Sequence, residues 1–135
     1  MAVEIGQTAE VVKHVAERDL ELFAEVSLDT NPMHMDDEYA AGTRFGQRIA
    51  HGMLSAGLIS AVLGTKLPGP GAIYVSQSLE FKAPVFIGDE LIAKATVTEL
   101  GEKRRVTLAT EVSKADGTIV TEGVALLILP KETAA

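Results

Sequence analysis

The chain has 135 residues, 47% hydrophobic but 4% aromatic, enough for one core built of Val, Leu, Ile and Ala. A formal net charge of −7, with no basic run longer than Lys103-Arg104-Arg105, argues against a nucleic-acid or anionic-membrane surface. Cysteine is absent, which excludes disulfides, thiolate metal sites and a cysteine nucleophile.

The first residues, Met1 to Gly6, lack a basic region followed by a long apolar core, so no signal peptide is expected and the cytoplasm is the default compartment. Gln7 to Val15 has strand character, with Ala9, Val11 and Lys13 on one face, and its weak alternation suits an edge or first strand. From Glu17 the period changes. Leu20, Phe23 and Val26 recur at helical spacing above a charged face, and acids in the first turn favour a helix start. That helix should stop near Leu28, because Pro32 disfavours helical geometry at Asn31. Asp36 to Ala41 reads as a short second helix, N-capped by Asp36 and ended by Gly42. A polar loop, Thr43 to Arg48, follows.

From Gly52 to Thr65 there are fourteen residues without a charge. A membrane span needs about 20 apolar residues, so this run predicts a central helix roughly 21 Å long at 1.5 Å per residue. Being apolar on all sides, it must be wrapped by other structure. Leu67-Pro68-Gly69-Pro70-Gly71 ends it. Three alternating strands come next, over Ile73–Phe81, Leu91–Val97 and Val106–Val112, then a more continuously apolar one over Ile119–Leu129, with Asp116-Gly117 as a hairpin turn. The order predicts one α+β domain spanning residues 1–135, an antiparallel sheet wrapped around one long buried helix. A single such sheet covers only part of the helix and leaves an edge unpaired, so a symmetric dimer joined edge to edge is expected, with higher assembly left open.

Two stretches could carry chemistry. Asp29 and His34 stand five residues apart across an Asn31-Pro32 bend. A bend can bring a carboxylate and an imidazole over one point, where together they could hold a water and exchange its protons. On spacing alone, Asp29 as a helix end and His34 as a loop residue is the more frequent case. Seventeen residues after His34, His51-Gly52 opens the uncharged helix. A helix start leaves unpaired N–H groups and a partial positive charge, and Gly52 admits a ligand close to the backbone, which suits a carbonyl gaining negative charge. A plain helix start with a tolerated glycine fits the same residues equally well. The three histidines lack the short spacings of a ligand set, so no metal is expected. Nor do Gly69-Pro70-Gly71 or the serines Ser55 and Ser60 form a phosphate loop or a nucleophile motif.

Taken together, Asp29-Thr30-Asn31-Pro32-Met33-His34, Arg44-Phe45-Gly46, Ile49 to Leu54, Leu67 to Gly71 and Phe81 to Asp89 resemble the MaoC-like (R)-specific enoyl-CoA hydratase family over nearly the whole chain. The free-standing form is similar to the hydratases that feed polyhydroxyalkanoate synthesis. The resemblance implies a hot-dog fold, a homodimer with its sites at the subunit interface, and an acid–histidine segment overhanging the central helix. It implies Asp29 and His34 as the catalytic pair, Asn31 as a shaper of their loop, Gly52 as the thioester-carbonyl binder and Ser60 as a residue near the site. Leu63 is expected to cap an acyl pocket that runs along the helix past Ser60. The implied reaction is syn addition of water to a trans-2-enoyl-CoA, with no cofactor or metal. Arg44, Arg48, Lys82 and Lys103 are candidates for the CoA phosphates. Leu28 departs from the family pattern, which often has Gly there. A carrier-protein dehydratase, an acyl-CoA thioesterase and a non-catalytic acyl-CoA-binding module are the rival readings.

Overall fold

A computed structural model describes residues 2–131 of the chain. The elements follow in the order β1 (Thr8–His14), α1 (Glu17–Ser27), α2 (Pro32–Met35), α3 (Asp37–Ala41), α4 (Gly52–Thr65), β2 (Ile73–Gln77), β3 (Glu80–Phe81), β4 (Glu90–Leu100), β5 (Arg105–Lys114) and β6 (Ile119–Ile128). The strands form one antiparallel sheet in the order β1-β4-β5-β6-β2, with β3 also paired to β6.

Alternation decides which face is covered. Leu91, Ala93, Ala95 and Val97 of β4, with Val106, Leu108 and Val112 of β5, are buried beneath α4, which contributes Ile59, Val62 and Leu63 to the same core. Ala9, Val11 and Lys13 of β1 share a half-buried face, and β1 is an edge strand, as its weak alternation predicts.

Two features depart from the sequence reading. A short helix, α2, occupies part of what reads as a bend. Asn31 caps it through its side chain and Pro32 takes the first helical position, where a missing N–H costs nothing. The long strand expected over Ile73–Phe81 divides into β2 and β3 at Ser78-Leu79, where the chain passes close to Gly123. The central helix is covered on one side only, as expected of a single sheet. Met53 is 54% exposed, and Gly57, Ser60 and Gly64 are exposed with it. One curved sheet reaches only one side of a helix, so the other side stays bare in the lone chain.

Between β1 and α4, the three short helices form an overhang. Its far end is tied to the β3–β4 connection by an isolated bridge between Ile49 and Phe86 and by Ala50 N–H donating to the Val85 carbonyl at 2.7 Å.

Candidate active site

The overhang brings Asp29 and His34 together through local hydrogen bonds. Helix α1 ends at Leu28, whose backbone is left-handed (φ 67°) and whose N–H donates to the Ala24 carbonyl. The turn carries the chain to Asp29, whose N–H donates to Ser27 Oγ at 3.1 Å. Asp29 Oδ1 accepts from Asn31 N–H at 3.2 Å, and Asn31 Oδ1 accepts from Met33 N–H at 3.1 Å. Each short polar side chain therefore fixes the backbone two residues onward. Asp29 stays exposed, while His34, one turn into α2, is 7% exposed.

Neighbouring carbonyls set the tautomers of the histidines. His34 Nδ1 lies 2.7 Å from the Ile49 carbonyl oxygen, which only accepts, so Nδ1 carries the proton and Nε2 of the neutral ring bears a free lone pair. His51 Nε2 donates to the Asp29 carbonyl at 2.9 Å by the same argument. The His34 and His51 rings stack with centroids 4.0 Å apart and 30° between planes, and Phe23 flanks His51 with its centroid 4.8 Å away. Burial holds His51 below the ordinary imidazole range, and the neighbouring His34 adds to this against the pull of the Asp29 carbonyl and carboxylate.

One carboxylate oxygen of Asp29 and one nitrogen from each of His34 and His51 lie within 4.8 Å of one another. Such a trio raises the question of a cation, and the ring geometry answers it. A metal shared by two imidazoles lies in the plane of both, about 2.0–2.1 Å from each nitrogen. Rings stacked at 4.0 Å do not converge on such a point. The donor set fits proton transfer better than metal binding.

A buried guanidinium braces this arrangement. Arg48 Nε donates to the His34 carbonyl at 2.7 Å, and Nη1 meets Glu17 Oε1 at 2.9 Å and Asp37 Oδ1 at 3.6 Å. The expectation that Arg48 is a CoA-phosphate candidate is thus corrected: its side chain is 5% exposed and occupied with α1, α2 and α3. Lys103 lies in the β4–β5 turn, outside the cleft that His34 lines.

That cleft has a volume of about 270 Å³ and is lined by His34, Arg44, His51, Gly52, Ser55, Phe81, Lys82 and Thr121 among others. Gly52 opens α4 with no side chain capping the helix start; Leu54 N–H donates to the His51 carbonyl at 3.0 Å, which leaves the Gly52 N–H for a ligand at the cleft. A Cβ on Gly52 would lie 3.0 Å from the Phe81 ring, so even alanine would displace the aromatic wall. Beneath it, Ser55 Oγ donates to the Gly52 carbonyl at 2.6 Å and shares a 2.7 Å hydrogen bond with Thr121 Oγ1 of β6. Arg44 lies over the Phe45 ring, and Lys82 sits between Glu80 and Glu122 at 3.2 Å from each, bonds that raise its pKa.

Asp29, Asn31, His34 and Gly52 thus gather at one end of α4. Ser60 and Leu63 do not line this cleft: Ser60 is on the exposed face of the helix, and Leu63 is 1% exposed within the sheet-facing core. Sequence reasoning assigned no site contact to Ser55 or Thr121, offered Arg48 only as a CoA-phosphate candidate, and took His51 only as the residue at the helix mouth. The spacing of His51 from His34 gives no sign that the two rings stack. Ser55 carries a usable signal, since a residue three after Gly52 falls on the same helical face.

The MaoC-like domain model matches residues 2–122. The (R)-specific enoyl-CoA hydratase of Rhodospirillum rubrum is 57% identical over 129 residues, covering 95% of this chain and 89% of that protein. Among solved structures, the R-hydratase PhaJ1 from Pseudomonas aeruginosa, unliganded, superposes with a TM-score of 0.93 at 52% identity, covering 96% of this chain and 84% of that one. The (R)-hydratase from A. caviae involved in PHA biosynthesis superposes equally, with a TM-score of 0.93 at 45% identity over 96% and 98% of the two chains. Both the sheet wrapped on its helix and the sequence place the molecule among hot-dog proteins, and the chain belongs to the MaoC-like domain family.

Proposed function

We propose that the chain is an (R)-specific enoyl-CoA hydratase, adding water reversibly to a trans-2-enoyl-CoA to give the (R)-3-hydroxyacyl-CoA. The observation that carries this reading is the Asp29 carboxylate beside a histidine whose Nδ1 is tied to the Ile49 carbonyl, leaving Nε2 free to take or give a proton. The Gly52 N–H, at a helix start that no side chain caps, supplies the electrophilic half. A thioester carbonyl bound there draws electrons from C3, and a water held by Asp29 and His34 attacks C3. As the new C–O bond forms, the water gives one proton to the pair and negative charge gathers on the thioester oxygen. The pair returns a proton to C2 as the carbonyl re-forms. Oxygen and hydrogen arrive from one side, which gives syn addition. The residues supply both proton transfer and charge stabilisation, so the proposed reaction uses no metal or cofactor.

Arg44, at the cleft mouth, is the remaining candidate for the CoA phosphates; Lys82 is already between two carboxylates. We place the acyl chain along the uncovered face of α4 and propose a homodimer in which a second copy supplies the outer wall. Likeness to a hydratase involved in PHA biosynthesis supports polyhydroxyalkanoate precursor supply as the use of the product.

Crotonyl-CoA tests the reading. The wild type should lower the enone absorbance, release no free thiol and form the (R) product. Asp29→Asn and His34→Ala should each lower kcat by about 10²–10⁴-fold, the usual contribution of a positioned acid–base group, while circular dichroism shows the fold intact. Near-normal turnover in either variant overturns the assignment. Thiol release in place of hydration points to a thioesterase, and substrate binding with neither reaction points to a binding module.

A further inference from the structure

His51 has no chemical step in the proposed hydration, yet it touches both members of the acid–base pair. Its ring is 3% exposed, packed between Phe23 and His34, and its Nε2–H donates to the Asp29 carbonyl. With the proton on Nε2, the buried Nδ1 is a bare acceptor, and it has no partner among the described residues. An unmet buried acceptor is destabilising, so an apolar ring of similar shape would pack here at lower cost. Packing alone therefore does not account for an imidazole. Its bond to one catalytic segment and its stack on the other do.

We propose that His51 is a positioning residue, whose neutral ring sets the separation of Asp29 and His34 by tying the Asp29 backbone with one edge and seating the His34 ring on its face. The inference rests on Asp29 and His34 being the acid–base pair. Asp29 follows the left-handed turn at Leu28 and is exposed, with its carboxylate held locally by Asn31 N–H. His34 is held from a different direction, by Ile49 and through Arg48 on its carbonyl. His51 joins the two, and because it directly precedes Gly52, the carbonyl-binding end of α4 shares the same backbone frame. The titratable groups bearing on it are Asp29 and His34. Phe23 of α1 and the first turn of α4, Gly52 to Ser55, bring no charge to it, and Arg48 is turned towards Glu17 and Asp37.

Two variants of the full chain separate the donor from the ring. H51F keeps an aromatic ring in the stack and removes the donor, whereas H51Q returns an N–H at similar reach. In crotonyl-CoA hydration, H51F should lose about 100-fold in kcat, the effect of an ångström-scale misplacement, with KM within about threefold of wild type. H51Q should recover a large part of that loss. An H51F kcat within threefold of wild type, a change confined to KM, or an H51Q no better than H51F overturns the proposal. Nitrogen-15 NMR of the wild type tests it without any variant. His51 in its neutral form should be the Nε2–H tautomer, and it should protonate at lower pH than an ordinary histidine does. An Nδ1–H tautomer, or protonation near the ordinary value, overturns it. Absence of hydration by the wild type would instead count against the hydratase reading, and the NMR result would still decide the histidine's state.

Discussion

At residue scale, Leu28 shows how a local strain can sit beside a reactive group. Its φ of 67° is the conformation that ends α1 and delivers Asp29 to the cleft, and its side chain is 82% exposed. A leucine in this region clashes with its own backbone at a cost of roughly 1–2 kcal/mol, which glycine avoids at a smaller price in chain entropy. Leu28→Gly should therefore raise stability by about 1 kcal/mol in chemical denaturation, with kcat near wild type because the turn keeps its shape. A loss of stability would mean that Leu28 makes a contact outweighing the strain. The family's frequent glycine at this position has the same physical explanation. The turn declared by Asn31 and Pro32 made a meeting of Asp29 and His34 one reading of the sequence, and the family resemblance was what favoured it. The His34–His51 stack was not legible, because the sixteen residues between them hide a contact that only the folded overhang creates.

At the scale of elements, the strands and helices with clear alternation or helical spacing stand where the sequence places them. The departures come where tertiary contact overrides a local pattern. Ile73 to Phe81 alternates throughout, yet the strand breaks at Ser78-Leu79. Ser78 N–H donates to the Val124 carbonyl, and Ser78 Oγ accepts from Val124 N–H, each at 2.9 Å. At this crossing a Cβ on Gly123 would lie 1.8 Å from the Ser78 carbonyl oxygen, an overlap that backbone atoms cannot relieve cheaply. The redirected chain forms β3 and lays Phe81 against Gly52, so this remote glycine shapes the cleft wall. Gly123→Ala should cost at least the roughly 1–3 kcal/mol typical of overpacking, read as a lower denaturation midpoint, and it should raise KM for enoyl-CoA. An unchanged midpoint would show that the crossing relaxes freely.

At the scale of the molecule, the bare face of α4 and the unpaired edge of β2 meet in an apolar groove of about 470 Å³, lined by Phe23, Met53, Gly57, Tyr74, Val75 and Leu79 among others. Ile73, Tyr74 and Val75 are 60%, 40% and 45% exposed along that edge. An apolar edge left in water invites pairing with another strand, and a two-fold partner satisfies the edge and the helix together. The proposed dimer should appear in light scattering, and Val75→Lys, which places charge on the edge, should shift it to monomer and reduce hydration with it. A wild-type monomer of full activity would refute this arrangement. The fully wrapped helix read from composition is thus half realised within one chain, since composition counts apolar side chains and not the copies that cover them.

The crossing at Gly123 has a thermodynamic consequence. Residues of β2 at the edge and Phe81 at the cleft belong to one short excursion of backbone, held to β6 at a common point. In the proposed dimer, a ligand that prefers one placement of Phe81 also biases the placement of the edge. Such coupling is reciprocal: any factor by which subunit contact tightens substrate binding must equally be the factor by which substrate tightens subunit contact.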